Sequence, residues 1–194
     1  MNTPNKLTIA RMIATPIFMA VMLIEAIPYR FLIALVLFSA ASLTDMIDGK
    51  MARKYNLVTD FGKFLDPIAD KVLTTSALLA FMSMGLCNIW IVMIVLTREF
   101  AIASVRMVAA TNGVVIPANV WGKIKTVSQM VFTILIMLLG EVYFVVESSN
   151  VALFAKLPDL SLISNGLLWI TAVLTVVSGG IYLYDSRKII DFTK

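Results

Sequence analysis

Apolar runs about twenty residues long, separated by short polar stretches, recur six times along the chain, at about residues 8 to 27, 31 to 52, 65 to 84, 88 to 110, 124 to 146 and 162 to 184. A helix of about 20 mostly apolar residues crosses the hydrocarbon core of a bilayer. The pattern therefore predicts an all-α, polytopic membrane protein with six transmembrane helices. The connections are too short to hold another core, so residues 1–194 read as one membrane domain. The first run follows a basic stretch, as a signal peptide's would. It is long, however, lacks a small-residue cleavage pattern before Pro28, and precedes five more runs.

Composition narrows the chemistry. The chain is 60% apolar and 14% charged, with a mean hydropathy of +0.92, against about 25% charged for a soluble domain. It has no histidine and one cysteine, Cys87. Ser/His and Cys/His catalysis, disulfide frameworks and the usual zinc sites are thereby excluded, and any metal must be held by oxygen. The formal charge of +4 points to topology and anionic lipid rather than to nucleic acid. Of the 16 Lys and Arg residues, only Arg30 and Lys156 fall on one side of the six-span arrangement. Basic residues mark cytoplasmic loops, so both termini and the second and fourth connections are expected in the cytoplasm.

Within this frame the stretch from Asp45 to Asp70 is unusually acidic. Asp45 and Asp48 are spaced i, i+3 near the end of the second span, and Asp66 and Asp70 i, i+4 at the start of the third. Such spacings place each pair on one helix face, and an antiparallel turn brings the four carboxylates together at the membrane surface. Four adjacent carboxylates raise one another's pKa unless they hold cations. Hard oxygen ligands suit Mg²⁺, Mn²⁺ or Ca²⁺, and phosphate chemistry favours Mg²⁺, so one or two divalent ions are expected. Gly49, Ala52 and Arg53 extend the stripe of Asp45 and Asp48. The two small residues admit a ligand to the backbone, and the guanidinium grips phosphate oxygens in a bidentate way. Taken singly, the small residues equally suit helix packing and Arg53 a cytoplasmic border.

These residues carry a resemblance. The pattern D-x-x-D-G-x-x-A-R-x8-G-x-x-x-D-x-x-x-D, filled by Asp45, Asp48, Gly49, Ala52, Arg53, Gly62, Asp66 and Asp70, resembles the signature of the CDP-alcohol phosphotransferase family at all eight positions. PNKLTIAR near the start, TREF around Arg98, Arg106 eight residues later, and GKIKT at Gly122 to Thr126 are similar to the bacterial phosphatidylglycerophosphate synthase branch. The resemblance implies a six-helix enzyme, usually a homodimer, with a polar cavity facing the cytoplasm. Such enzymes transfer a phosphatidyl group from CDP-diacylglycerol to an alcohol and release CMP. By motif position, Asp45, Asp48, Asp66 and Asp70 would hold Mg²⁺ or Mn²⁺, with Asp70 also the general base. Gly49, Ala52 and Arg53, together with Asn5, Thr8 and Thr59, would bind the donor.

Arg98, Arg106, Lys123 and Lys125 form a second group of cations on the same side, suited to the phosphate of a phosphorylated acceptor. Each alone also fits a border residue, and Arg98 beside Glu99 also fits an ion pair inside the bundle. Taken together, and with the wider resemblance, they favour glycerol 3-phosphate over a neutral acceptor such as serine or free inositol, with inositol phosphate satisfying the same cations. The expected location is the plasma membrane. A cation-coupled transporter is the competing class. It calls for acids near mid-membrane and broken helices in two related halves, whereas these acids cluster at one face. Pro67 is expected in an early turn of the third helix, and Gly179-Gly180 at a close helix approach, a subunit contact or a ligand.

Overall fold

A computed structural model describes residues 3–54, 60–111, 113–114, 116–117, 119–148 and 158–187, and for 3–4, 45–54, 60–64, 66–67, 70 and 148 it describes the backbone alone. Six helices follow one another: α1 (Thr3–Leu23), α2 (Arg30–Lys54), α3 (Asp60–Ser83), α4 (Ile89–Thr111), α5 (Val120–Ser148) and α6 (Leu160–Ser186). No strand occurs among the described residues. Each helix corresponds to one expected span, but α1 starts at Thr3 and α3 at Asp60, five residues ahead of their apolar runs. Hydropathy reports what lipid tolerates, whereas the helix continues wherever its hydrogen bonds close.

Among the described residues α1, α5 and α6 are apolar and long enough to cross a membrane over Asn5–Leu23, Val120–Glu147 and Leu160–Ser186. The other three have the length, at 25, 24 and 23 residues. They are also the helices that carry Asp45 to Arg53, Asp66 and Asp70, and Arg98, Glu99 and Arg106. The interruptions of apolarity thus coincide with the candidate site, as expected where intramembrane charge is retained for function.

Sharp stops keep the hairpins short. Gly85 (φ 75°) and Gly113 (φ 72°) adopt the left-handed conformation just beyond α3 and α4. Leu86 N–H then bonds to Phe81 O at 2.8 Å and Val114 N–H to Ala109 O at 2.9 Å, the six-to-one bond of a Schellman stop. α6 begins with Asp159, whose carboxylate accepts from Ser161 N–H.

The helices pack as a closed ring in the order α1, α2, α5, α6, α4, α3 and back to α1, with a small direct contact of α3 with α2 and α5. Phe18, Met22, Phe38, Leu78, Phe81, Ile91, Ile136, Met137 and Leu168 fill its interior. The outward faces carry Ile13, Ile17, Val36, Met93, Leu162, Val173 and Val176 exposed, a surface suited to lipid. At the end remote from the acids, Ser164 Oγ donates to Leu86 O at 2.7 Å and Asn88 N–H to Asn165 Oδ1 at 2.7 Å. These bonds tie α6 to the α3–α4 turn.

Candidate active site

The interior changes character along its length. On α1 the buried positions are Asn5, Thr8, Arg11 and Thr15, then Phe18 and Met22. On α5 they are Lys125, Gln129 and Thr133, then Ile136 and Met137. Both helices therefore bury polar side chains in the half that starts at the basic end and apolar ones in the other. Buried polar groups require partners, so these two stripes define a polar interior at that end. Within α1, Thr15 Oγ donates to Arg11 O at 2.9 Å, one turn before Pro16, where a helix lacks an N–H.

The register of α2 and α3 leads to the same end. Among the described side chains of α2 the buried ones are Phe31, Ala34, Phe38 and Ala41, and the same alternation of three and four residues arrives next at positions 45, 48 and 52. On α3 the buried Ala69, Leu73, Ala77 and Ala80 share their register with positions 66 and 70. α2 and α3 are helical through Asp45, Asp48, Gly49, Ala52, Arg53, Asp66 and Asp70, and α3 runs on through Pro67. The side chains of these residues, and the whole of Thr59, lie outside the described residues. Asn5 and Thr8, the α1 members of the expected donor site, are buried on the face that α1 turns to the bundle, 7% and 1% exposed.

Of the four cations expected to receive an acceptor phosphate, the structure brings two together. Arg98 Nη1 and Lys125 Nζ donate to the same oxygen, Glu99 Oε1, at 2.8 and 2.7 Å. Lys71, next in sequence to Asp70, donates to the Glu99 carbonyl at 3.2 Å, and its Nζ stands 3.7 Å from Glu99 Oε2. Arg106 goes elsewhere. Its Nε donates to the Tyr182 hydroxyl at 3.2 Å, and its guanidinium lies over that ring. Lys123 is exposed, on another face of α5 from Lys125. The sequence alone pairs Glu99 with its neighbour Arg98 and does not single out Lys71. Only the cross-helix packing reveals a carboxylate shared by three helices.

Arg98 also meets open space between helices. A cleft of about 420 Å³ between α4 and α6, lined by Trp90, Met93, Gly179 and Gly180, reaches its side chain. Gly179 serves close approach, since a Cβ there would stand 3.1 Å from Arg98 Cγ.

The sequence matches the profile described as CDP-alcohol phosphatidyltransferase over residues 1–177. A protein of Bacillus subtilis strain 168 named CDP-diacylglycerol–glycerol-3-phosphate 3-phosphatidyltransferase is 42% identical over 192 residues, covering 93% of each chain. A protein of the same name from Rickettsia bellii is 37% identical over 187 residues, covering 96% of each. With the motif on α2 and α3 and a match over most of its length, the chain belongs to the CDP-alcohol phosphatidyltransferase family.

Proposed function

We propose that this chain transfers the phosphatidyl group of CDP-diacylglycerol to glycerol 3-phosphate, giving phosphatidylglycerophosphate and CMP. The observation that carries the reading is the end-to-end similarity to relatives named for that reaction. The polar interior at that end supports it, because the donor's nucleotide needs a polar setting while its acyl chains need lipid, and a site at the helix ends serves both. In the reaction the acceptor hydroxyl oxygen bonds to the phosphorus that bears the diacylglycerol. The bond from that phosphorus to the bridging oxygen of CMP breaks, and the hydroxyl proton passes to a carboxylate, assigned to Asp70. Asn5, Thr8, Gly49, Ala52, Arg53 and Thr59 bind the donor. Arg98 and Lys125 receive the acceptor's phosphate.

Asp45, Asp48, Asp66 and Asp70 offer carboxylate oxygens only, paired one turn apart on uninterrupted stretches of α2 and α3, a donor set that fits one or two Mg²⁺ or Mn²⁺ ions. A divalent ion held there would supply charge neutralisation at the diphosphate. The enzyme is further proposed to be a homodimer of the plasma membrane with both termini in the cytoplasm.

The test is CMP release by purified protein in detergent or lipid, with CDP-diacylglycerol, Mg²⁺ or Mn²⁺, and in separate reactions glycerol 3-phosphate, inositol phosphate, inositol or serine. Release with glycerol 3-phosphate alone, abolished by a chelator, is the expected result. Release with a different alcohol overturns the acceptor. No release with any of them from folded protein overturns the transferase reading in favour of cation-coupled transport.

A further inference from the structure

Glu99 stands outside the residues assigned above, yet it is where the second cationic group is assembled. α3, α4 and α5 each send a cation to it: Lys71, Arg98 and Lys125. Arg98 and Lys125 share a single carboxylate oxygen, so their charges stand only a few ångströms apart. Like charges at that separation repel strongly in a partly buried setting. Lys125 is only 3% exposed, which leaves it little room to swing away. The carboxylate that both cations share offsets this repulsion.

A second observation, independent of charge, concerns the path of Arg98. Its stem and head pass two glycines on neighbouring helices: a Cβ on Gly179 would stand 3.1 Å from Cγ, and a Cβ on Gly122 would stand 3.3 Å from Nη2. Both separations are tighter than ordinary contact, so the notch between α5 and α6 fixes the side chain along its length. Arg98 Nε is shielded and has no hydrogen-bond partner among the described residues, although buried donors are normally satisfied. The guanidinium thus retains a donor beyond the bond it gives Glu99.

We propose that Glu99 is a positioning residue for the acceptor phosphate, holding Arg98 and Lys125 in convergence while the glycine notch of Gly122 and Gly179 sets the line of Arg98. The inference rests on the reading of Arg98 and Lys125 as phosphate ligands. A phosphate gains from two cations only when they face it together. Removing Glu99 lets them part. Removing it also deletes a negative charge near an anion, an effect of opposite sign, and the orientation term outweighs it.

Steady-state kinetics of Glu99→Gln, Glu99→Ala, Glu99→Asp and Gly122→Ala, each shown folded by its thermal midpoint in detergent, test this. Glu99→Gln and Glu99→Ala are expected to raise the acceptor KM about tenfold or more, leaving kcat and the donor KM within about threefold. Glu99→Asp restores most of the acceptor affinity. Gly122→Ala, which changes no charge, raises the acceptor KM by a smaller factor. An unchanged acceptor KM in the Glu99 variants overturns the proposal, and a lowered one shows that Glu99 competes with the phosphate instead. An equal rise in both KM values reduces Glu99 to general support. Arg98→Gln and Lys125→Met separate the two levels. If they leave the acceptor KM alone, the phosphate assignment fails. If they raise it while Glu99→Gln does not, only the positioning role fails.

Discussion

Asp70 and Lys71 are consecutive on α3, and Lys71 reaches the Glu99 carbonyl at 3.2 Å. The carboxylate assigned as base is thus one residue from the cationic cluster assigned to the acceptor, an economical way to bring a hydroxyl and its phosphate to one place. Asp70→Asn keeps the shape of the side chain and removes its basicity. CMP release is expected to fall by at least about a hundredfold, the lower range for loss of a general base, with membrane insertion and thermal midpoint retained. Turnover within about tenfold of the parent would remove Asp70 from the proton's path. Cys87 illustrates the opposite kind of residue. It is buried in the α3–α4 turn, and burial pushes its thiol from the ordinary 9.0 up to about 12. Between those values the unfolded chain has lost the proton that the folded chain keeps, so Cys87 makes folding less stable as pH rises from 9 toward 12. Alkylation at pH 8 is expected to be negligible until the protein is unfolded, and rapid labelling of native protein would contradict the burial.

At the scale of elements, the α2–α5 contact shows how little room this packing leaves. Glu141 Oε2 on α5 accepts the Leu32 N–H at the start of α2 at 3.0 Å, satisfying a donor that a helix start leaves open. One residue away, a Cβ at Gly140 would stand 2.6 Å from the buried Phe31 ring. Gly140→Ala is therefore expected to destabilise by about 1–3 kcal/mol, the usual penalty for overpacking, seen as a lower thermal midpoint with little change in either KM. An unchanged midpoint would mean that Phe31 has free space behind it. Elements were also what the sequence revealed most directly. Six apolar runs gave six helices, because lipid forces each span to satisfy its own backbone. The helix spacing of Asp45 with Asp48 and of Asp66 with Asp70 agrees with the buried register of α2 and α3. The early start of α3 at Asp60 was hidden, since nothing apolar marks a helix outside the membrane. So were the shared carboxylate of Glu99 and the diversion of Arg106 to Tyr182, because a meeting of three helices has no periodicity in any one of them.

For the whole molecule, the segregation of basic residues and the segregation of the interior describe the same axis. Arg11, Lys71, Arg98 and Lys125 lie at the end where α1 and α5 bury Asn5, Thr8, Gln129 and Thr133. The opposite end is closed by Ser164, Asn165 and the aromatic contact of Phe18 with Phe38 deeper in the bundle. Basic residues favour the cytoplasmic side, and the donor's charged nucleotide headgroup, which does not cross the bilayer, reaches the site only from the leaflet on which it is made. The two requirements agree only if the polar end faces the cytoplasm. Single cysteines in a Cys87→Ser background test that orientation. Glu25→Cys sits in the exposed α1–α2 turn at the far end, and Asp185→Cys is exposed at the polar end. A membrane-impermeant maleimide is expected to label Glu25→Cys on intact cells, and Asp185→Cys only after permeabilisation. The reverse pattern would put the polar end on the wrong side of the membrane for CMP to be recovered, and would overturn the assignment of a cytoplasmic donor.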